Sequence, residues 1–451
     1  MARRTRRPPK PGADPQSFLA CLRHFLTPQV WKEVGRALAP HEATRWRSQP
    51  LVFVLLLMTW CAGESAAERF ETARAFYVAS YQRRRRPGKT LEGWHKALAR
   101  VPGPALRRVA AAVRRRLAAV FAGRLLVDGF VPMGCDGSHL NGPRTPELER
   151  RLRADRRRHR PPLLTVTAFV HLATGLLWSW RLGGPRASEQ DHLVRLLGTL
   201  PPQVLVVADA GFVGYPLLQK LAAAGRWFLI RLSNNAPLYT PGRIAWRRCH
   251  EGLAYYWPVE AQKREQPPVP VRVLYLRGKK VDVWLMTNVL EAERLPRPVA
   301  RKFYRWRWRN EGLFRTYKRT LGKVKLMSRT VAQVHREAEG SLLATQLLLA
   351  QGALALPQGG AAGSVLPSPR RVLVEVRAEV RDTIGMYLGP RQRRGYLERL
   401  RQARRDRRRR RRNQVRRRWP SRAPHKPPKP PRVLTMGTDL KELLAKTLGV
   451  A

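Results

Sequence analysis

Residues Phe303 to Leu321 read FYRWRWRNEGLFRTYKRTL, an alternation of aromatic, apolar and cationic residues with a single acid. The stretch reads as one amphipathic helix, opened by Pro298, whose fixed φ and missing N–H suit a first helical turn. At about 100° per residue, Val299, Phe303, Trp306, Leu313, Tyr317 and Leu321 fall on one side, the side a core would take. Tyr304, Arg307, Glu311 and Lys318 fall on a neighbouring stripe roughly 60° wide. One acid therefore stands among two cations and a phenol beside a buried face. Such an acid is either half of a structural ion pair or a metal ligand at the edge of a site that receives phosphate.

The surroundings of that helix are strongly basic. The 451 residues carry 88 Lys+Arg against 31 Asp+Glu, a formal net charge of +57. Solubility does not require so much charge of one sign, and a polyanionic partner, nucleic acid first, accounts for it. A GC-rich coding bias would explain Arg over Lys but not the shortage of acids. Thirteen Trp beside that much Arg suit phosphate contact with base or sugar stacking. Cys21, Cys61, Cys135 and Cys249 lack metal-ligand spacing, and no disulfide framework is expected. The opening MARRTRRPPKPGADP is basic without an apolar run behind it, so it does not read as a secretory signal. Leu51–Ala62, LVFVLLLMTWCA, is about half the ~20 residues a membrane span needs and reads as a buried helix. A cytoplasmic protein acting on nucleoid DNA is expected, with no membrane contact.

Outward from Phe303 toward the start of the chain, residues 1–14 read as a disordered basic arm. Residues 15–122 read as an all-helical, DNA-binding domain, with Thr27-Pro28 opening a turn, Ala66–Tyr81 a helix, and Arg107–Phe121 an Arg-studded amphipathic helix. The turn at Arg83–Gly88 and the helix around Trp94 suit either a helix-turn-helix or a bundle with a solvated basic face.

From Leu125 the pattern changes to strands. Leu125–Cys135 is apolar with small residues and ends at Asp136-Gly137-Ser138, where a strand end would fix a carboxylate at the mouth of a site. Asp128 competes, but Gly129 behind it suggests a turn. Leu163–His171 and Gly175–Leu182 read as a hairpin. Ser188 is placed as the N-cap of a helix reaching Leu200. Val204–Ala208, VLVVA, reads as a strand buried on both faces, ending at Asp209. A helix (Tyr215–Ala224) and a strand (Trp227–Leu232) follow. Strand, hairpin, helix, strand, helix, strand is an α/β mixed sheet, in the order of a ribonuclease-H-like core.

These motifs together resemble the DDE transposases of the insertion-sequence-four group. Tyr304, Arg307, Glu311 and Lys318 have the order and spacing of that group's YREK signature. Asp136-Gly137-Ser138, followed by Pro143 and Thr145, resembles its first aspartate motif. Ala208-Asp209-Ala210-Gly211-Phe212 resembles its second. The group also inserts a β-rich subdomain between the second and third acids, and residues 236–289 have that character. The resemblance covers about 125–350 and implies a catalytic domain at 123–352.

The resemblance implies Asp136, Asp209 and Glu311 as catalytic, metal-binding acids. Phosphodiester chemistry calls for such a set: two Mg²⁺ about 4 Å apart can stabilise both the attacking and the leaving oxygen, and Mg²⁺ prefers carboxylate oxygen. Mn²⁺ is expected to substitute. Tyr304 and Arg307 are implied as contacts to phosphate near the scissile bond, and Lys318 as a contact to the backbone of the transposon end. Trp284, in VDVWLM, is implied as a DNA contact that receives a flipped base; a register error of one residue would turn it to the other face, and Trp246 and Trp257 are alternatives. The implied activity is cut-and-paste transposition on double-stranded DNA, transposon inverted ends and target, by a homodimer in the DNA complex. The alternatives are an inactive DNA-binding descendant, and a ribonuclease-H-like nuclease without strand transfer.

Beyond the signature, Val331–Ala350 reads as a helix packed on the sheet, with His335 on its surface. Residues 353–451 read as linker (Gln358–Pro369), helix (Val372–Leu388) and basic tail. That tail holds the Arg tract of 401–418, a Pro-rich spacer at 420–431 and a short helix at Lys441–Leu448. The Arg tract would bind any DNA by counterion release.

Overall fold

In a computed structural model, residues 17–38, 45–82, 85–153, 161–233, 235–242, 250–277, 282–356, 366–385, 400–401 and 430–448 are described. The arm at 1–14, Trp246, Cys249, most of the 358–369 linker and nearly all of the Arg tract and Pro-rich spacer lie outside them, as do Arg83 and Arg84. The chain forms two compact units, one built on 1–120, 316–323 and 332–407, the other on 121–315, 324–331 and 408–451.

The helical unit begins with α1 (Phe18–Phe25), α2 (Pro28–Leu38), α3 (Ser48–Trp60), α4 (Ala66–Ser80), α5 (Leu91–Ala99) and α6 (Ala105–Val120). Ser17, Ser65 and Thr90 cap α1, α4 and α5 by accepting a backbone N–H from the third residue onward, satisfying donors that the first turn leaves orphaned. The apolar run at Leu51 lies in α3, which is buried along nearly its whole length. No helix among the described residues is long and apolar enough to cross a membrane. Cys21, Cys61 and Cys135 are free and buried.

The second unit starts with α7 (Ala122–Leu125) and a tight turn. Val127 and Phe130 exchange backbone hydrogen bonds of 2.7 and 3.0 Å, and Asp128 and Gly129 both take positive φ (47° and 78°). This turn corrects the expected strand start: β1 is Val131–Asn141, not a strand from Leu125. There follow α8 (Pro146–Leu152), β2 (Leu163–His171), β3 (Leu176–Gly183), α9 (Glu189–Leu196), β4 (Val204–Ala208), α10 (Tyr215–Ala223), β5 (Trp227–Arg231), β6 (Leu238–Thr240), β7 (Glu251–Tyr256), α11 (Val259–Lys263), β8 (Val269–Leu276), β9 (Val283–Thr287), α12 (Arg297–Trp306) and α13 (Trp308–Arg315). Later come α14 (Val331–Leu354), α15 (Pro369–Gly385), β10 (Val433–Thr435) and α16 (Thr438–Leu448).

One mixed sheet runs β10-β6-β7-β8-β9-β5-β4-β1-β2-β3. Within it β1, β2 and β3 are antiparallel neighbours, while β1–β4 and β4–β5 are parallel. This is the expected α/β, ribonuclease-H-like arrangement. The β-rich insertion is present as β6 to β9, but it forms no separate sheet: β9 pairs antiparallel with β5 and carries the central sheet onward. The C-terminal strand β10 then adds to β6 in parallel. On one face of the sheet α12 packs Ala300, Phe303 and Trp306 against Leu205, Val207, Leu229 and Leu285. On the other face α9 covers β1 to β3, and α10 meets β5 and β8.

The stretch from Phe303 is not one continuous α-helix. At Arg307 the hydrogen bonds tighten to three residues: Arg307 N–H donates to Tyr304 O (3.1 Å) and Asn310 N–H to Arg307 O (3.0 Å). Thr316–Thr320 then widens into a π-turn, with Leu321 N–H on Thr316 O at 3.0 Å. The apolar face survives these changes: Phe303, Trp306, Leu313, Tyr317 and Leu321 are buried. Pro298 lies in the first turn of α12, as expected.

The expectation that Val331–Ala350 packs on the sheet is corrected. α14 belongs to the helical unit, where the Trp60 indole N–H donates to Ala344 O at 3.2 Å and Leu55 fills the space over Gly340.

Candidate functional site

Asp136 lies in the middle of β1, not past its end. It is nevertheless at an opening in the sheet. β1 pairs with β2 through Asp136↔Ala168 and beyond, whereas its pairing with β4 stops at Gly134↔Val207. From there the two strands part, and β4 ends one residue before Asp209. Side chains alternate along a strand, so Asp136 shares a face with Gly134. That face is covered by α13: an ideal Cβ on Gly134 would lie 2.6 Å from the Asn310 amide. Glu311 follows Asn310 on the same helix. Sheet pairing and helix packing thus bring Asp136, Asp209 and Glu311 to one face, beside the point where β1 and β4 separate.

Each aspartate accepts the backbone N–H of the residue that follows it. Asp136 Oδ1 accepts the Gly137 N–H at 2.8 Å, and Asp209 Oδ1 accepts the Ala210 N–H at 2.9 Å. Asp209 also faces two guanidinium groups, Arg231 at 3.9 Å and Arg307 at 3.8 Å. Arg307 sits at the tightened joint between α12 and α13, is 9% exposed, and has no hydrogen-bond partner at Nε. Its guanidinium carbon lies 5.5 Å from the centroid of the half-buried Tyr304 ring. Burial pushes the Tyr304 phenol up.

Burial pushes the Asp136 carboxyl above the usual carboxylate range; Asp209 and Glu311 push the same way, while the Gly137 N–H and Arg307 oppose them. An acid whose charge is disfavoured by two neighbouring acids belongs to a donor set suited to a hard cation, which prefers carboxylate oxygen. Among the described residues no three His, Cys, Asp or Glu side chains already stand close enough to enclose an ion. The donor chemistry fits a divalent cation, and the fit rests on that chemistry.

Asp128, the competing aspartate, pairs with Lys302 of α12. Trp284 is 7% exposed on β9. It alternates with Leu285, which packs toward α12, so its side chain is on the opposite face from Asp136, with the Tyr275 ring 4.9 Å away. Lys318 lies in the π-turn assigned to the helical unit, half-buried, with its ammonium pKa lowered by burial. His335 is half-buried, and its pKa falls through burial and the nearby Arg107 and Arg336. Arg231, Asn310 and Glu189 belong to the neighbourhood of the acids and are not anticipated from sequence. Arg231 is the last residue of β5, and a cation ending a strand beside an acid ending its neighbour was the available signal.

No curated protein matches this chain in sequence. Among solved structures, the cryo-EM structure of piggyBac transposase synaptic complex with hairpin DNA is similar over 86% of this chain and 85% of that chain, with 9% identity and a TM-score of 0.44. Residues 135–347, the span from Asp136 through Asp209 and Glu311 to α14, match the family model of the transposase DDE domain, and that match supports a DDE transposase family for this chain.

Proposed function

We propose that this protein is a DNA transposase that cleaves at the ends of its element and transfers the freed strands to target DNA. The observation that carries the reading is the gathering of Asp136, Asp209 and Glu311 on one sheet face, within a span that matches a transposase DDE domain. In this reading Asp136, Asp209 and Glu311 would together hold Mg²⁺, for which Mn²⁺ would substitute. Bound ions of this kind activate the attacking oxygen and stabilise the departing one in an in-line displacement.

The chain's own residues would position the DNA. A phosphate drawn to Asp209's end of the site would meet the buried Arg307 cation and the Tyr304 phenol. Lys318 would hold the backbone of the transposon end. Water first attacks the phosphodiester, and the released 3′-OH then serves as nucleophile on the opposite strand and on target DNA. The resemblance assigns a base-receiving role to Trp284; its burial against Tyr275 supports a core role instead. The partners in this reading are double-stranded inverted ends and target DNA, held by a homodimer on the nucleoid in the cytoplasm.

The test is Mg²⁺-dependent cleavage of DNA spanning the element's ends, wild type against Glu311→Gln. Loss of a metal ligand should cost at least what loss of a ligand's supporting partner costs, roughly 10- to 100-fold, with DNA binding retained. If wild type binds those ends tightly and never cuts them, the enzymatic reading is wrong.

A further inference from the structure

Glu189 is the first residue of α9, whose start is fixed by Ser188 accepting the Asp191 N–H at 3.3 Å. Its carboxylate lies in the space a side chain at position 137 would occupy. An ideal Cβ on Gly137 would be 1.8 Å from Oε1, 2.1 Å from Cδ and 2.7 Å from Oε2. Gly137 directly follows Asp136 and presents the opposite face of β1. Carboxylates from the two faces of the sheet therefore approach one strand, at the place where β4 no longer covers its edge.

Glu189 is half-buried and, among the described residues, has no ion-pair or hydrogen-bond partner. A buried carboxylate normally acquires a partner, because desolvating unpaired charge is costly. Burial, then the charge of Asp136, holds its pKa up. A second buried group points to the same strand: Asn310 is 1% exposed, neither amide atom has a hydrogen-bond partner, and it packs on Gly134, two residues before Asp136.

We propose that Glu189 is a fourth carboxylate of the site, a ligand to the divalent cation held by Asp136. The inference rests on the metal-dependent reading given above and extends it to the opposite face of the sheet. Gly137 is then required because any side chain there displaces the Glu189 carboxylate. A negative charge in the first turn of α9 would by itself favour the helix, but the exposed Asp191 already supplies one.

The experiment is Mn²⁺ binding to the full-length chain without DNA, read by the electron paramagnetic resonance of free Mn²⁺. Wild type is compared with Asp136→Asn, Glu189→Gln, Gly137→Ala and the control Asp191→Asn, and thermal unfolding is recorded for each. Asp136→Asn, Glu189→Gln and Gly137→Ala should each weaken binding roughly tenfold or more, and Asp191→Asn should not. If Glu189→Gln binds Mn²⁺ like wild type while Asp136→Asn is weakened, Glu189 is no ligand and the three-acid reading stands alone. A Glu189→Gln variant that loses only thermal stability points to the helix-end role and also refutes the proposal. If Asp136→Asn binds like wild type, the metal reading fails and this inference fails with it.

Discussion

His171 shows how one residue anchors the end of β2 beside the helix that carries Glu311. It ends β2, is fully buried, and its Nε2–H donates to Leu125 O at 2.9 Å. Its Nδ1 accepts the Thr174 hydroxyl at 2.7 Å. Next to it, Arg309 of α13 donates to the carbonyls of Leu172 and Ala173, and burial lowers the Arg309 pKa to about 10. Burial first, with Arg309 adding to it, takes the His171 pKa down to about 4 from 6.5. The unfolded chain then binds a proton that the folded one refuses in that window. Stability is fully present above pH 6.5 and is lost as pH falls toward 4, by on the order of 3 kcal/mol from this residue. Gln can donate and accept at similar places without titrating. Urea unfolding of wild type and His171→Gln between pH 7.5 and 4 should therefore show the flatter profile in the variant. Parallel profiles would mean that His171 is not what acid attacks.

Between elements, α14 fits closely on α3 in the helical unit. An ideal Cβ on Gly340 would lie 2.6 to 2.9 Å from Cδ2, Cγ and Cδ1 of Leu55, and Leu55 is itself buried with no free end to swing away. Gly340→Ala should gain up to about 1 kcal/mol in helix propensity but lose about 1–3 kcal/mol to overpacking, for a net fall in stability. Adding Leu55→Ala should recover part of that loss, a coupling readable in a double-mutant cycle; additive effects would rule the contact out. The same pair shows where sequence legibility ends. Val204–Ala208, the hairpin and the Ser188 cap could be read because each carries its signal within a few residues: an apolar run, a short turn, an oxygen before a helix. The apolar run of α14 announces burial but not its partner, which is α3 rather than the sheet. The start of β1 is masked in the sequence because Leu125–Val127 is as apolar as a strand, and the positive φ of Asp128 and Gly129 is a property of the folded turn. β10 could not be anticipated, since three residues gain meaning only from the distant β6 edge. The site divides likewise. Asp209 shows itself at the end of an apolar run, whereas Glu189, Arg231 and Asn310 acquire roles only when separate strands and helices meet.

At the scale of the whole molecule the dominant quantity is the net charge of +57. Such a chain repels itself and is drawn to any polyanion, so much of its affinity for DNA should be independent of sequence. Six consecutive arginines, Arg407 to Arg412, are the densest source of that charge and lie outside the described residues. Each phosphate that a cation neutralises contributes about −0.9 to the slope of log affinity against log salt. Replacing all six arginines by Gln should then make the slope for an arbitrary duplex shallower by as much as ~5, with affinity lost mainly at low salt. In the proposed function the carboxylates act separately from the tract: metal-dependent cleavage at saturating DNA should be nearly unchanged in the same variant, because Asp136, Asp209 and Glu311 are set by β1, β4 and α13. A variant that keeps its salt slope would show that the tract does not touch DNA. A variant that keeps its DNA occupancy but loses cleavage would show that the tract takes part in the chemistry of the site, and the division between a nonspecific tether and a separate catalytic face would have to be abandoned.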